Sequence, residues 1–187
     1  GEIQYFDNPL SRETLEDSSF RRFFRGQVGI AFQQPEAQLF CPTVEEEISF
    51  GPQQLGLCQK EVRERISDLE EIFRLESLLD RYPGELSGGE QRRVVMAAVL
   101  AVAPSVLLLD EPTAALDPRS RAELKKILAS LGKSGKTLIT ATHDLTGLER
   151  DYDRALVFSE DHRLVWDGRA GEIPKEVLGE NNLLDPP

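Results

Sequence analysis

No run of apolar residues in this sequence approaches the roughly 18 that a helix needs to cross a bilayer. No basic-then-apolar segment opens it, so nothing reads as a secretion signal. Cysteine is scarce. Cys41 and Cys58 are the only two, without metal-ligand spacing or neighbouring histidines, which excludes a disulfide framework or zinc ribbon and fits two reduced thiols. Positive charge is also in short supply: 22 Lys and Arg face 33 Asp and Glu, a net charge of -11. Such a chain repels phosphate backbones, so no nucleic-acid partner is expected, although a local basic cluster could still hold a nucleotide. Internal repeats and low-complexity segments are absent. If the protein serves a membrane, it is expected to do so from the cytoplasmic side, through a partner.

The apolar residues that are present alternate between two kinds of run. Gly1 to Phe6 reads as a strand closed by Asp7-Asn8-Pro9, and a strand opening the chain suggests missing sequence upstream. Val28 to Phe32 reads as a second strand, followed by a loop-rich stretch through Leu57. From Lys60 to Asp80 the apolar positions Val62, Ile66, Leu69, Phe73 and Leu78 have helical spacing. A helix is expected from Ser87 to about Val102, ended by Pro104. Val106 to Leu109 and Thr137 to Ala141 lack alternation and read as strands buried on both faces of a parallel sheet. Between them Asp117-Pro118 opens a helix that Gly132 closes. Arg154 to Trp166 reads as two strands joined by a turn containing His162, and the tail after Gly179 as frayed. Strands alternating with helices predict an α/β domain. The expected organisation is a core at 1–34, a helical lobe at 35–102 and a return to the core at 103–187.

Three of these strands run into polar residues: Gln33, Asp110-Glu111 and His143-Asp144. In open α/β sheets ligands bind beyond the carboxyl ends of strands. A carboxylate at Asp110 can hold Mg²⁺ while phosphates fill the remaining positions, and Glu111 can orient or deprotonate a water. Ser87 and Glu90 form a capping box, and Gly88-Gly89 leave backbone N–H groups open at a helix N-terminus, an anion site. Asp117 is a helix N-cap by spacing. Gly132-Lys133-Ser134-Gly135-Lys136-Thr137 imitates a phosphate loop, but the position five before Gly135 is Ser130 and the segment runs from helix to strand, so it reads as a turn.

Leu86-Ser87-Gly88-Gly89-Glu90-Gln91, Leu107-Leu108-Leu109-Asp110-Glu111-Pro112-Thr113, Ala115-Leu116-Asp117-Pro118 and Ala141-Thr142-His143-Asp144, in this order, resemble the ABC ATPases. The resemblance implies a P-loop NTPase core with an inserted helical subdomain, ATP and Mg²⁺ as ligands, and ATP hydrolysis coupled to transport. It implies that Gln33 senses Mg²⁺ and the γ-phosphate. Ser87, Gly88, Gly89 and Glu90 correspond to the signature that clamps the opposite subunit's ATP. Asp110 and Glu111 correspond to the Walker B aspartate and catalytic glutamate, Asp117 to the D-loop aspartate and His143 to the switch histidine.

Gln34 to Phe40 with Thr43 to Ile48 and Phe50-Gly51-Pro52 resembles the ATPases of energy-coupling-factor importers, which take up vitamins, cobalt or nickel. There the segment receives coupling helices of a transmembrane subunit, with Leu39-Phe40 as an exposed contact. The partners implied are a second ABC ATPase subunit and that transmembrane subunit. The family's phosphate loop and the aromatic that stacks on adenine do not occur in the sequence, so an N-terminally truncated chain, unable to hydrolyse ATP alone, is expected. A non-catalytic half-subunit and a soluble ABC ATPase are the alternatives.

Overall fold

The computed structural model describes residues 2–114 and 116–180, so most of the tail expected to fray lies outside the described residues. Two short antiparallel strands, β1 (Gln4–Tyr5) and β2 (Asn8–Pro9), form a hairpin. Its turn is Phe6-Asp7, both left-handed at φ 45° and 61°, the geometry whose twist suits a two-residue hairpin. The turn thus precedes the expected Asp7-Asn8-Pro9, and Pro9 lies in the strand. Two helices that the apolar pattern does not reveal follow: α1 (Arg12–Glu16), capped by Ser11, and α2 (Ser18–Gln27), capped by Asp17. They lead into β3 (Val28–Ala31).

The stretch expected to be loop-rich contains α3 (Val44–Gln54). Thr43 Oγ1 caps it by accepting the Glu46 amide at 3.2 Å, and Pro52 falls in its last turns. Pro52 forgoes one helical hydrogen bond, but it is fully buried together with Val44 and Ile48, and that burial offsets the loss. α4 (Gln59–Phe73) buries Val62, Ile66, Leu69 and Phe73 as their spacing predicts. It stops short of Asp80, because Arg74 turns left-handed (φ 53°) and the core residues Leu75 and Leu78 come from the turns beyond.

α5 (Gly88–Ala101) starts after Ser87, as expected. β4 (Val106–Asp110), α6 (Pro118–Lys133) and β5 (Thr137–Ala141) complete the alternation. α6 runs one residue past Gly132, and the left-handed glycine that lets the chain turn into β5 is Gly135 (φ 88°).

β3, β4 and β5 form a parallel sheet in that order, with Ala31 opposite Leu109 and Asp110 opposite Ala141. Gly29, Ala31, Leu107 and Leu109 are buried on the face against which α5 and α6 pack. A Cβ on Gly29 would stand 2.6 Å from Val99 Cγ1, so the glycine allows α5 to lie directly on β3. The other face is open: Ile30 is 43% and Ile139 57% exposed. β4 is therefore buried on one face, not both, and β5 is only partly buried, at Leu138 and Thr140; the missing alternation reports apolar residues on both sides of the sheet, not cover on both sides.

A second compact unit begins at Thr142. It comprises α7 (Leu148–Asp151), the antiparallel pair β6 (Arg154–Phe158) and β7 (Leu164–Arg169), and α8 (Lys175–Glu180). His162 lies in the β6–β7 turn, at φ 58°.

Candidate functional site

The residues around the carboxyl ends of β3 and β4 are placed by the sheet register. Ala31 and Leu109 are paired, so Gln33 and Glu111 each stand two residues beyond a matched position. Asp110, the last residue of β4, is exposed. Glu111 is left-handed (φ 44°), and its amide donates to the Ala141 carbonyl at 2.9 Å. A glutamate in that region carries strain of about 1–2 kcal/mol, the kind of cost found where a side chain must be aimed. Thr142 and His143 directly continue β5, and His143 belongs to the second unit.

At the start of α5, Ser87 Oγ accepts the Glu90 amide, and Glu90 Oε2 accepts both the Ser87 amide at 2.8 Å and the Ser87 hydroxyl at 2.7 Å. The Ser87 hydroxyl, then the Ser87 amide, hold the Glu90 carboxyl below its ordinary pKa. A Cβ on Gly88 would meet nothing within 4 Å, and one on Gly89 would only graze Leu116 Cδ2 at 3.9 Å. Neither glycine is required by its own surroundings. The pair leaves an unobstructed helix N-terminus, where free N–H groups and the helix dipole favour an anion.

Asp117 behaves as its spacing predicts. Its Oδ1 accepts the Arg119 and Ser120 amides and its Oδ2 the Ser120 hydroxyl, and the Ser120 hydroxyl leads in lowering its pKa. In this structure both of its oxygens serve the cap.

The sequence reading misses Arg92. Its side chain is buried, with Nη1 donating to the Phe32 carbonyl at 2.9 Å and Nη2 to the Gln33 carbonyl. Burial lowers its pKa, opposed by the charges of Glu36, Asp110 and Glu111. Arg92 thus ties the Gln33 backbone to α5 within electrostatic reach of both β4-end carboxylates. The available signal is its position: Arg92 falls three and seven residues before the buried Val95 and Val99, on the apolar stripe of α5.

In the segment leading to α3, Gln38 bridges to the β3 end, accepting the Phe32 amide and donating to the Ile30 carbonyl. Phe40 is 65% exposed and meets Phe50 edge-on, with ring centroids 4.9 Å apart. Leu39, expected to be exposed, instead packs partly buried against the core.

The ABC transporter family model matches residues 1–114. An ABC transporter ATP-binding protein of Methanosarcina acetivorans is 48% identical over 98% of this chain and 66% of its own length. A nickel import ATP-binding protein of Rhodobacter capsulatus is 41% identical over 92% of this chain and 69% of its own length. An energy-coupling factor transporter ATP-binding protein of Methanosphaera stadtmanae is 37% identical over 94% of this chain and 62% of its own length. The structure of cbiO1 from Clostridium perfringens, part of the ABC transporter complex cbiONQ, superposes with a TM-score of 0.77 at 34% identity, over 98% of this chain and 72% of that one. The chain therefore spans about two thirds of the length of such relatives. Its α/β fold is that of the P-loop NTPases, and the chain belongs to the ABC transporter ATP-binding family.

Among the described residues no helix is long and apolar enough to cross a membrane, and no three His, Cys, Asp or Glu side chains cluster to cage a metal. The oxygen donors of Asp110 and Gln33 still suit Mg²⁺, which typically takes one or two protein oxygens and completes its shell with water and substrate phosphates.

Proposed function

We propose that this chain is the ATP-hydrolysing subunit that powers a membrane importer of the energy-coupling-factor type, taking up a metal ion or a vitamin. The observation that carries this reading is the open N-terminus of α5, where the unobstructed Gly88 and Gly89 leave backbone N–H groups to meet an anion, beside a Ser87 that Glu90 holds as the helix cap. That anion is the triphosphate held by a second ABC ATPase subunit, identical or related, paired head to tail with this one. Residues 1–34 and 103–187 belong to the ATPase core and 35–102 to the signature subdomain.

Asp110 and Gln33 would hold Mg²⁺, which when bound offsets charge on the phosphates. Glu111 orients and deprotonates the attacking water, and His143 contacts the γ-phosphate. Ser87 binds by turning its hydroxyl from Glu90 Oε2, to which it donates at 2.7 Å, toward the phosphate. Asp117 contributes to the nucleotide site through the loop that it caps. The segment from Gln34 to Pro52, with Phe40 at its surface, docks a transmembrane coupling subunit, so that the protein works peripherally on the cytoplasmic face of the membrane.

The sequence contains no G-x-x-x-x-G-K-[ST] motif, so a chain of these 187 residues is expected to turn over ATP negligibly by itself. Mixed with an intact ABC ATPase partner it should raise ATP turnover, and Ser87→Arg should abolish that gain. Partner turnover that stays the same with and without the chain would refute the reading.

A further inference from the structure

Arg92 makes an unusual choice of partners. It is 4% exposed, yet both of its hydrogen bonds go to main-chain carbonyls, those of Phe32 and Gln33, 60 and 59 positions away in sequence. Among the described residues no ion pair joins it to a carboxylate, while the charges of Glu36, Asp110 and Glu111 act on it. A buried cation is costly unless it is well satisfied, and an apolar side chain would fill the same place on α5 more easily. What only the guanidinium fork supplies is a two-point grip on the backbone around Gln33.

We propose that Arg92 is a positioning residue. It locks the glutamine at the end of β3 to the signature helix, so that seating a phosphate on the N-terminus of α5 fixes where Gln33 stands. The geometry is direct. Ser87 caps α5, Arg92 lies little more than one turn inside the same helix, and Gly29 brings that helix against β3. A displacement of α5 is carried by its rigid backbone to the carbonyls that Arg92 holds. The positive charge also lies within electrostatic reach of Asp110 and Glu111. This rests on the reading of α5 and Gln33 as parts of an ATP site.

Two measurements test it. The first needs no turnover. An accepted hydrogen bond at a carbonyl shifts the ¹⁵N resonance of the following amide, so Arg92→Lys should move the Gln33 and Gln34 amide signals while those of Val94 to Val99 stay in place. Unmoved Gln33 and Gln34 signals overturn the proposal. If Arg92→Lys melts early, the neutral Arg92→Gln replaces it. In the parent chain, the Arg92 Nη protons should give resolved signals from a side chain that does not rotate; an averaged, freely rotating guanidinium overturns the proposal without any variant.

The second measurement is a double-mutant cycle on ATP turnover with the intact partner. Arg92→Lys should lower kcat about tenfold with KM changed less than about twofold. Arg92→Lys combined with Gln33→Ala should be no slower than Gln33→Ala alone. Losses that multiply would make Arg92 merely structural and overturn the inference. A Gln33→Ala variant that keeps full turnover would instead defeat the underlying reading of the site, and the inference with it.

Discussion

Glu47, on the first turn of α3, accepts the backbone amide of Cys41 at 2.8 Å, and the same Oε2 accepts the Phe40 amide at the same distance. The carboxylate is 6% exposed. It fixes the loop that presents Phe40, and it sets the chemistry of the neighbouring thiol. Burial, and then the Glu47 charge and hydrogen bond, push the Cys41 thiol up to about 11. At pH 8 iodoacetamide should therefore label the exposed Cys58 well before Cys41. Glu47→Gln should speed Cys41 labelling several-fold without bringing it level with Cys58, as mass spectrometry of the two peptides would show. Glu47→Ala should cost about 1–3 kcal/mol in urea unfolding, because the Cys41 amide is left buried without an acceptor.

Several helix caps make stability depend on acid, and two of them adjoin the candidate site. Glu90 and Asp117 both have lowered folded-state pKa values, each through bonds led by a serine hydroxyl. Their stabilisation is fully present above the unfolded values, about 4.3 for Glu and 3.9 for Asp, and is lost as pH falls through the lower folded values. The urea midpoint should therefore drop below about pH 4.3. The double variant Glu90→Gln with Asp117→Asn should have a flatter pH profile; an unchanged slope in that variant would contradict the assignment.

Glu111 holds a left-handed backbone that glycine adopts freely. Glu111→Gly should be at least as stable as the parent, by up to about 1 kcal/mol, yet inactive in the mixed ATPase assay. Glu111→Gln should keep the parent's stability and also lose turnover. A Glu111→Gly variant that unfolds early would show that the side chain's own contacts outweigh the strain.

The two faces of the sheet should respond differently to truncation. Leu107 is fully buried, and Leu107→Ala should cost about 2–5 kcal/mol. Ile139 is 57% exposed, and Ile139→Thr should change stability by no more than about 0.5 kcal/mol. Paired denaturation curves in a chain of these 187 residues would check both.

Periodicity and caps made much of this fold legible in the sequence. Val62, Ile66, Leu69 and Phe73 announce α4, and Ser87 with Glu90 sets the start of α5 to the residue. α3 escapes notice because Gly51-Pro52 looks like a break, although Thr43 and Glu46 carry the cap signal ahead of it. The one-sided burial of β4 cannot be read from an unbroken apolar run, since Leu107 and Leu108 differ in burial but not in character. The candidate site residues stand out by their place at strand and helix ends. Arg92 does not, because a charge beside a glycine-rich motif looks solvated until its partners, far away in sequence, are seen.

Arg92 is not alone in its preference. Arg93 donates to the Phe73 and Arg74 carbonyls, closing the end of α4, and Arg65 donates to the Ala101 carbonyl at the end of α5. These cations grip peptide dipoles, so the helices cohere through links that dissolved salt screens weakly. Exposed pairs such as Lys60–Glu64 are far more vulnerable. Helices α4 and α5 should thus keep their spacing through large swings in ionic strength.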